Sequence, residues 1–365
     1  MSEKFRVATK GKMFALFLVV ILVGSLVVLA GCGEKPEDAD GEADEAAGPR
    51  DFRWGTSDTG SSGHAALTAL TTVLNREMDD YNFTVLPTPG AVFSITEYAH
   101  GEMDGFYGAD VAFLEYGQER DRFEDFEYDE AEREPVQSFW AYTLEVGLAV
   151  HGDDYDDIDG WRDLDDGVLF TGPAAWDVRA ALRIPLIDVL EMDHDYNEID
   201  LDMVASSLDA GHIDGINAYT SGESTVPGWL LEAELATDIE VISPSEEEVE
   251  ILEENNVEVV EVDTDVFETD MREDTVKRIP FFYGFHKGPE VPAEDVYNML
   301  NTIQENTGDL KDQDEAFAQI DEDMVDIQVR GINSSVEHVK IHPGLKMFLE
   351  ENDAWDSDWD DRVAE

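Results

Sequence analysis

Hydroxyls and glycines recur just past short apolar runs in this chain, a pairing suited to holding a small anion. Thr59-Gly60-Ser61-Ser62-Gly63 follows the run Phe52 to Thr56, Thr88-Pro89-Gly90 follows Phe83 to Pro87, and Thr171-Gly172-Pro173-Ala174 follows Val168 to Phe170. Each turn precedes a helical pattern, where unsatisfied backbone N–H groups and the helix dipole favour a carboxylate. Two further turns, at Asp110 and at Asn217 to Thr220, bring the number to five. Any one of them reads equally well as an N-cap or a turn, so the pattern of five carries the weight. Arg179 and Arg183 lie one turn apart in a chain poor in bases. One could grip a carboxylate, and both could equally pair with neighbouring acids.

Other chemistries lack their constellations. Serines 94 and 221 have no Gly-x-Ser-x-Gly elbow, so a hydrolase nucleophile is not indicated. His338 and His342 have a metal-like spacing, but Pro343 interrupts a shared helix and favours a core or capping role. Asp193-His194-Asp195-Tyr196-Asn197 opens like a calcium loop, yet Glu198 stands where glycine is needed and Val204 where a bidentate Glu is needed. The acid runs at 153–157 and 246–248 read as solvated faces. No cofactor and no enzymatic activity are expected.

The chain opens with Lys4, Arg6, Lys10 and Lys12, then an apolar run from Met13 to Ala30 that ends Leu29-Ala30-Gly31-Cys32. This reads as an export signal with a lipobox, residues 1–31, and Cys32 as the lipidated first residue of the mature chain. An uncleaved membrane helix is the alternative; either places the body on the outer face of the membrane. Cys32 is the single cysteine, so no disulfide framework or cysteine metal site is available to the body.

Without residues 1–31, 19 basic residues face 85 acidic ones, a net charge of −66. Such a surface repels phosphate backbones and excludes a nucleic-acid partner. Disorder does not follow, because 42% of residues are hydrophobic and 10% aromatic. The excess reads as adaptation to molar salt, where the Debye length of roughly 3 Å screens the self-repulsion. Loss of structure in dilute buffer is the expected consequence.

The elements that must position these turns alternate apolar strands with amphipathic helices. Residues 32–50 form an acidic tether. Beyond it the reading is an α/β body with largely parallel strands. Strands are expected at 52–56, 83–87 and 105–108, with helices from His64 to Met78 and from Gly90 through His100. Val136 to Val150 reads as one long crossing between lobes and Ile279 to Phe285 as the return strand. Between them lie strands at 168–172, 213–219 and 239–242, a helix at Ala174–Leu190 and another near Leu201–Ala210. Two lobes follow: 51–140 with 280–365, and 141–279.

At this point the sequence resembles the solute receptors of the TAXI class of TRAP transporters, of type II periplasmic-binding-protein fold. The most specific likeness is Ile341-His342-Pro343-Gly344-Leu345-Lys346-Met347-Phe348-Leu349-Glu350, similar to the family's His-Pro-Gly-Ala segment with its following aromatic and Glu. Gly101-Glu102-Met103-Asp104 resembles the family's Gly-Glu-x-Asp turn. Ile158 to Leu164 is similar to the segment opening the second lobe, and Gly211-His212-Ile213-Asp214-Gly215 to its Gly-x-Ile-Asp-Ala step. Ala91 and Ser94 depart from the family's Ser and Asn, Ala65 and Ala66 from its Tyr pair, and Ala175-Trp176 from its Gly-Ser-Gly loop.

The resemblance implies a surface-anchored receptor that binds a small anionic solute, such as glutamate or 2-oxoglutarate, and delivers it to a TRAP-type permease. A sensory or structural binding protein of the same fold is the alternative. Carried over by position, the ligand residues are Ser61, Ser62, Gly63, Gly90, Ala91, Val92 and Asp110 from the first lobe. Thr171, Ala174, Trp176, Asn217 and Thr220 come from the second. Asp110 is equally suited to capping a helix.

Overall fold

The apolar runs become strands of two sheets built to one plan. A computed structural model describes residues 48–59, 61–335 and 339–365; the export signal, Cys32, most of the tether, Gly60 and His338 lie outside the described residues. The first strands are β1 (Arg50–Thr56), β2 (Tyr81–Pro87) and β3 (Phe106–Ala109), with helices α1 (Ser62–Glu77), α2 (Ala91–Ala99) and α3 (Asp110–Gly117) following them in turn. β1 pairs in parallel with β2, and Trp54 bridges in parallel to Gly105 at the edge of β3. Then come β4 (Trp140–Val146), β5 (Leu148–His151), β6 (Val168–Phe170), helix α4 (Asp177–Arg183), β7 (Asp195–Tyr196), β8 (Gly215–Asn217), β9 (Thr220–Ser221), β10 (Ile239–Ile242), β11 (Val260–Asp263) and the long β12 (Thr275–His286).

In the first sheet β12 runs antiparallel between β3 and β4. In the second, β5 runs antiparallel between β8 and β10, and β6 lies parallel between β7 and β8. The cores β2-β1-β3-β12-β4 and β7-β6-β8-β5-β10 therefore share one order, three parallel strands, one antiparallel strand and one more, and the first also carries β11 antiparallel to β12 and β9 antiparallel to β4. This is a two-lobed α/β architecture in which each lobe is built on the same strand order. Strands are largely parallel only in the outer three of each sheet, because a chain that crosses between lobes enters the second sheet in the reverse sense.

The expected single crossing at 136–150 is divided at Gly147: β4 ends in the first sheet and β5 begins in the second. A Cβ on Gly147 would stand 2.2 Å from Nη1 and 2.6 Å from Cδ of Arg278 on β12, so glycine is the residue that lets the two crossings approach. Every residue of β4 is buried, Thr143 and Glu145 included.

The helix expected at Ala174–Leu190 is shorter and changes character. It starts at Asp177, and beyond Arg183 it becomes a π turn, Ile184–Val189, with the Leu190 N–H donating to the Pro185 carbonyl at 2.9 Å. Pro185 has no N–H for the α-helical ladder, so the chain adopts a wider turn. Leu201–Met203 is likewise a 3₁₀ turn ahead of a short helix, Val204–Asp209.

The His-Pro-Gly segment opens the helix Pro343–Glu351. His342 Nδ1 accepts the Gly344 N–H at 3.0 Å, and Nε2–H faces the carbonyls of Gly288 at 3.1 Å and Val291 at 3.2 Å. Burial pushes its pKa down to about 4, so the ring is a neutral clamp on three backbone groups. The capping reading of His342 is the one the structure carries.

Candidate functional site

The shared turn geometry and the paired sheets leave a crevice lined from both lobes. β1 delivers Ser57 at its end, and α1 begins beneath it. Ser61 is the N-cap: its Oγ accepts the His64 N–H at 3.2 Å, donates to the Asp58 carbonyl at 2.7 Å and lies 2.6 Å from the Ser57 Oγ. The capping thus occupies the Ser61 hydroxyl. Ser62 and Gly63, whose N–H groups belong to the helix's unsatisfied first turn, line the crevice beside it. A Cβ on Gly63 would stand 2.1 Å from the Tyr283 hydroxyl, so only glycine lets α1 meet β12 here.

Tyr107 of β3 and Tyr283 of β12 lie with ring centroids 5.3 Å apart, Leu144 comes from β4, and Tyr219 from the link between β8 and β9. Trp176, Asp177 and Val178 at the start of α4 close the opposite wall. The cavity between these walls is about 40 Å³, well below the several hundred Å³ of a ligand-filled pocket, so the lobes must part to admit a solute.

Its charge is set by three buried residues. Arg122 donates through Nε to Glu115 of α3 at 2.5 Å and through Nη1 to Asp177 of α4 at 2.8 Å and to the Ala175 carbonyl at 3.3 Å. This pair of carboxylates around one guanidinium ties the lobes together. Burial raises the pKa of both Asp177 and Glu115, with Arg122 pulling each back. Burial also drives the hydroxyls of Tyr107 and Tyr283 well above their usual value and that of Tyr219 to about 12. All three phenols are neutral at ordinary pH. A second contact across the crevice is Arg183 with Asp121 at 3.0 Å. A third is Gly90, where a Cβ would stand 2.6 Å from the Ala175 carbonyl. The lobes are in contact across the opening.

Of the residues singled out in the sequence, Ser61, Ser62, Gly63 and Trp176 come together in this pocket. The others stand elsewhere. Gly90, Ala91 and Val92 meet Ala175 at the closing edge or turn into α2, where Ala91 is buried. Asp110 is the first residue of α3, whose N-cap is Ala109; its carboxylate accepts the N–H groups of Val111 at 2.7 Å and Phe282 at 3.1 Å, and burial raises its pKa to about 7. Thr171 gives its carbonyl to the Asn217 amide, which also donates to the Val178 carbonyl, each at 3.2 Å. This brace holds β6 and α4 in place. The Ala174 N–H donates to Glu198 at 3.2 Å, and the Thr220 hydroxyl to Glu145 at 2.5 Å. Arg179 lies 3.9 Å over the Tyr196 ring, and Arg183 pairs with Asp121 and Asp188; neither lines the pocket.

Sequence reasoning missed Ser57, Tyr107, Asp177, Tyr219 and Tyr283, and the Glu115–Arg122 pair behind them. One signal was present: bases are so few that Arg120 and Arg122 in an acidic stretch invite the question of what they neutralise. Among the described residues no group of three His, Cys, Asp or Glu side chains is placed to hold a metal ion.

No family model and no curated protein sequence matches the chain. Among solved structures it is similar to the ligand binding component of an ABC-type import system from Staphylococcus aureus, at 10% identity over 87% of this chain and 96% of that one, with a TM-score of 0.44. It is also similar to the probable amino-acid ABC transporter extracellular-binding protein ytmK from Bacillus subtilis, at 11% identity over 73% and 96%, with a TM-score of 0.43. The periplasmic aliphatic sulphonate binding protein SsuA from Escherichia coli gives 10% identity, 83% of each chain and a TM-score of 0.41. Likeness of this degree says nothing about a solute.

Proposed function

We propose that this chain is an extracytoplasmic solute receptor whose two lobes close on a small molecule and present the closed form to a membrane permease. The observation that carries the reading is the pocket lined by Ser62 and Gly63 of one lobe and Trp176 and Asp177 of the other, with β4 passing directly into β5 at Gly147 and β12 returning to the first sheet. A solute that touches both walls binds the closed state better than the open one, and that differential affinity is what drives closure.

The N–H groups at the start of α1 are the natural seat for an acidic end of the solute. The resemblance to TAXI receptors favours a TRAP-type permease as partner and a lipid anchor at Cys32 as the means of staying near it. The acidic surface suits a medium of high salt. Binding without turnover is the expected chemistry, because the pocket hydroxyls of Ser57 and Ser61 are engaged with each other and Asp177 with Arg122 rather than as a nucleophile and base.

The experiment is calorimetric titration of the full chain in molar NaCl with a panel of small carboxylates, amino acids and methylated amines, with small-angle scattering on the same samples. Saturable binding by one class, with a smaller radius of gyration in the bound state, is expected. Absence of binding by every class would remove the receptor reading.

A further inference from the structure

The pocket's charge narrows the solute beyond the receptor reading on which this inference rests. Glu115, Arg122 and Asp177 together carry two acids and one base, all buried. Arg122 spends Nε and Nη1 on the two acids, and its Nη2, buried without a partner, lies outside the pocket lining. Asp177 gives one oxygen, Oδ1, to Arg122, while its Oδ2 is buried and takes no hydrogen bond. With 3% of its side chain exposed, Asp177 is a pocket-lining acid with an acceptor left over.

Among the described residues no Lys, Arg or His lines this pocket. The rest of the lining is dominated by rings, those of Tyr107, Tyr219, Tyr283 and Trp176. A second anion placed here would face the Asp177 carboxylate in a medium of low dielectric, an arrangement that repels. A cation finds the opposite: an uncompensated carboxylate oxygen and aromatic faces whose quadrupoles attract positive charge. The nature of the cation follows from the acceptors. A bare ammonium needs three hydrogen-bond acceptors, and the unpaired ones buried in this wall are two, the Asp177 Oδ2 and the Tyr283 hydroxyl. A nitrogen clothed in methyl groups needs none and gains from contact with the rings.

We propose that the solute carries a positively charged, methyl-bearing nitrogen seated among Tyr107, Tyr219 and Tyr283, with Asp177 as its counter-ion. An acidic end on the same small molecule then reaches Ser62 and Gly63 at the start of α1, so the solute is a zwitterion rather than a plain anion. The carboxylate expected from the turn pattern keeps its place, and the structure adds a cationic head to it.

The test is titration of the full chain in molar NaCl with four probes: glycine betaine, tetramethylammonium, succinate and 3,3-dimethylbutanoate. The last has the shape of glycine betaine with carbon in place of the charged nitrogen. Glycine betaine is expected to bind at least about tenfold more tightly than 3,3-dimethylbutanoate, tetramethylammonium to bind measurably, and succinate not to bind. Asp177→Asn alters closure for every solute, so the reading is the ratio of the two affinities: the preference for glycine betaine over 3,3-dimethylbutanoate is expected to fall at least about tenfold, to near unity.

Equal binding of the charged and uncharged isosteres by wild type, or an unchanged ratio of the two affinities in Asp177→Asn, overturns the inference. Binding of succinate with no response to either ammonium probe also overturns it and leaves the receptor standing, whereas silence from all four probes and from the wider panel removes the receptor as well. Should Asp177→Asn fail to fold, Tyr107→Leu keeps the charge and removes a ring. An undiminished preference for glycine betaine over its isostere in that variant counts against the aromatic seat.

Discussion

Two buried arginines sit at the two ends of the machinery that joins the lobes, and they are treated differently. In the crevice, Arg122 holds carboxylates of both lobes at 2.5 and 2.8 Å. At the crossing, Arg278 is fully buried, packs against Gly147 and the Phe267 ring, and none of its three nitrogens makes a hydrogen bond. Its acidic neighbour Glu145 turns instead to the hydroxyls of Thr143 and Thr220, each at 2.5 Å, and to the Glu223 N–H at 3.0 Å. Burial pushes Arg278 down to about 9 and Glu145 up to about 8. The crevice pair is a contact that opening must break, so its strength sets the balance between states. The crossing residues keep their neighbours whichever state is occupied, and there shape matters more than charge.

The same substitution at the two arginines should therefore give unlike results. Arg122→Met leaves Glu115 and Asp177 buried without a counter-charge and is expected to cost the closed state about 3–5 kcal/mol. Because opening relieves that cost, the measurable outcome is a larger radius of gyration by scattering, with far-ultraviolet circular dichroism retained. Arg278→Met replaces an unbonded cation with an apolar side chain of similar length. A stability change of less than about 1 kcal/mol by denaturant titration is expected. Comparable losses in both variants would break the contrast.

Protonation sharpens it. Glu145 takes up its proton at about pH 8 in the fold and near 4.5 when unfolded. The folded state thus binds more protons across that window, and stability falls as pH rises from about 4.5 to 8. Glu145→Gln cannot ionise and is expected to flatten the decline by a few kcal/mol, roughly 1.4 per unit of the pKa difference as an upper bound. A decline unchanged in the variant would mean that another buried acid, such as Asp110, carries it.

The glycines at the two places separate closure from stability. Gly147→Ala forces Arg278 to shift and is expected to cost about 1–3 kcal/mol of overall stability, seen as a lower unfolding midpoint with solute affinity little changed. At Gly90 the backbone is extended, a conformation open to any residue, and the obstacle to a side chain is Ala175 across the crevice. Gly90→Val is therefore expected to weaken solute binding about tenfold, through incomplete closure, with the unfolding midpoint within about 0.5 kcal/mol of wild type.

Much of this molecule follows from local rules. The periodicity of the apolar runs places β1, β2, β3, β6, β10 and the core of β12 within a few residues, and the glycine-rich turns mark where α1 and α2 begin. Ser61, Ser62 and Gly63 were recognisable because an N-cap and the bare amides behind it are written in consecutive residues. The π turn was less legible: Pro185 is plain in the sequence, but whether a proline ends a helix or widens it depends on what packs around it.

The pocket itself belongs to the other category. Tyr107 and Tyr283 sit in strands predicted from their hydrophobicity, where a tyrosine reads as one more core residue, and Asp177 is a single acid among 86 in the chain. Their roles arise only when β3, β12 and the start of α4 are brought side by side and Arg122, 55 residues before Asp177, takes one of its oxygens and leaves the other. Sequence determined the alternation of elements, the acidic surface and the turns that begin the helices, because these depend on neighbours along the chain. The tertiary structure decided the sign of the pocket's charge and the residues that line it, because burial and pairing are properties of neighbours in space.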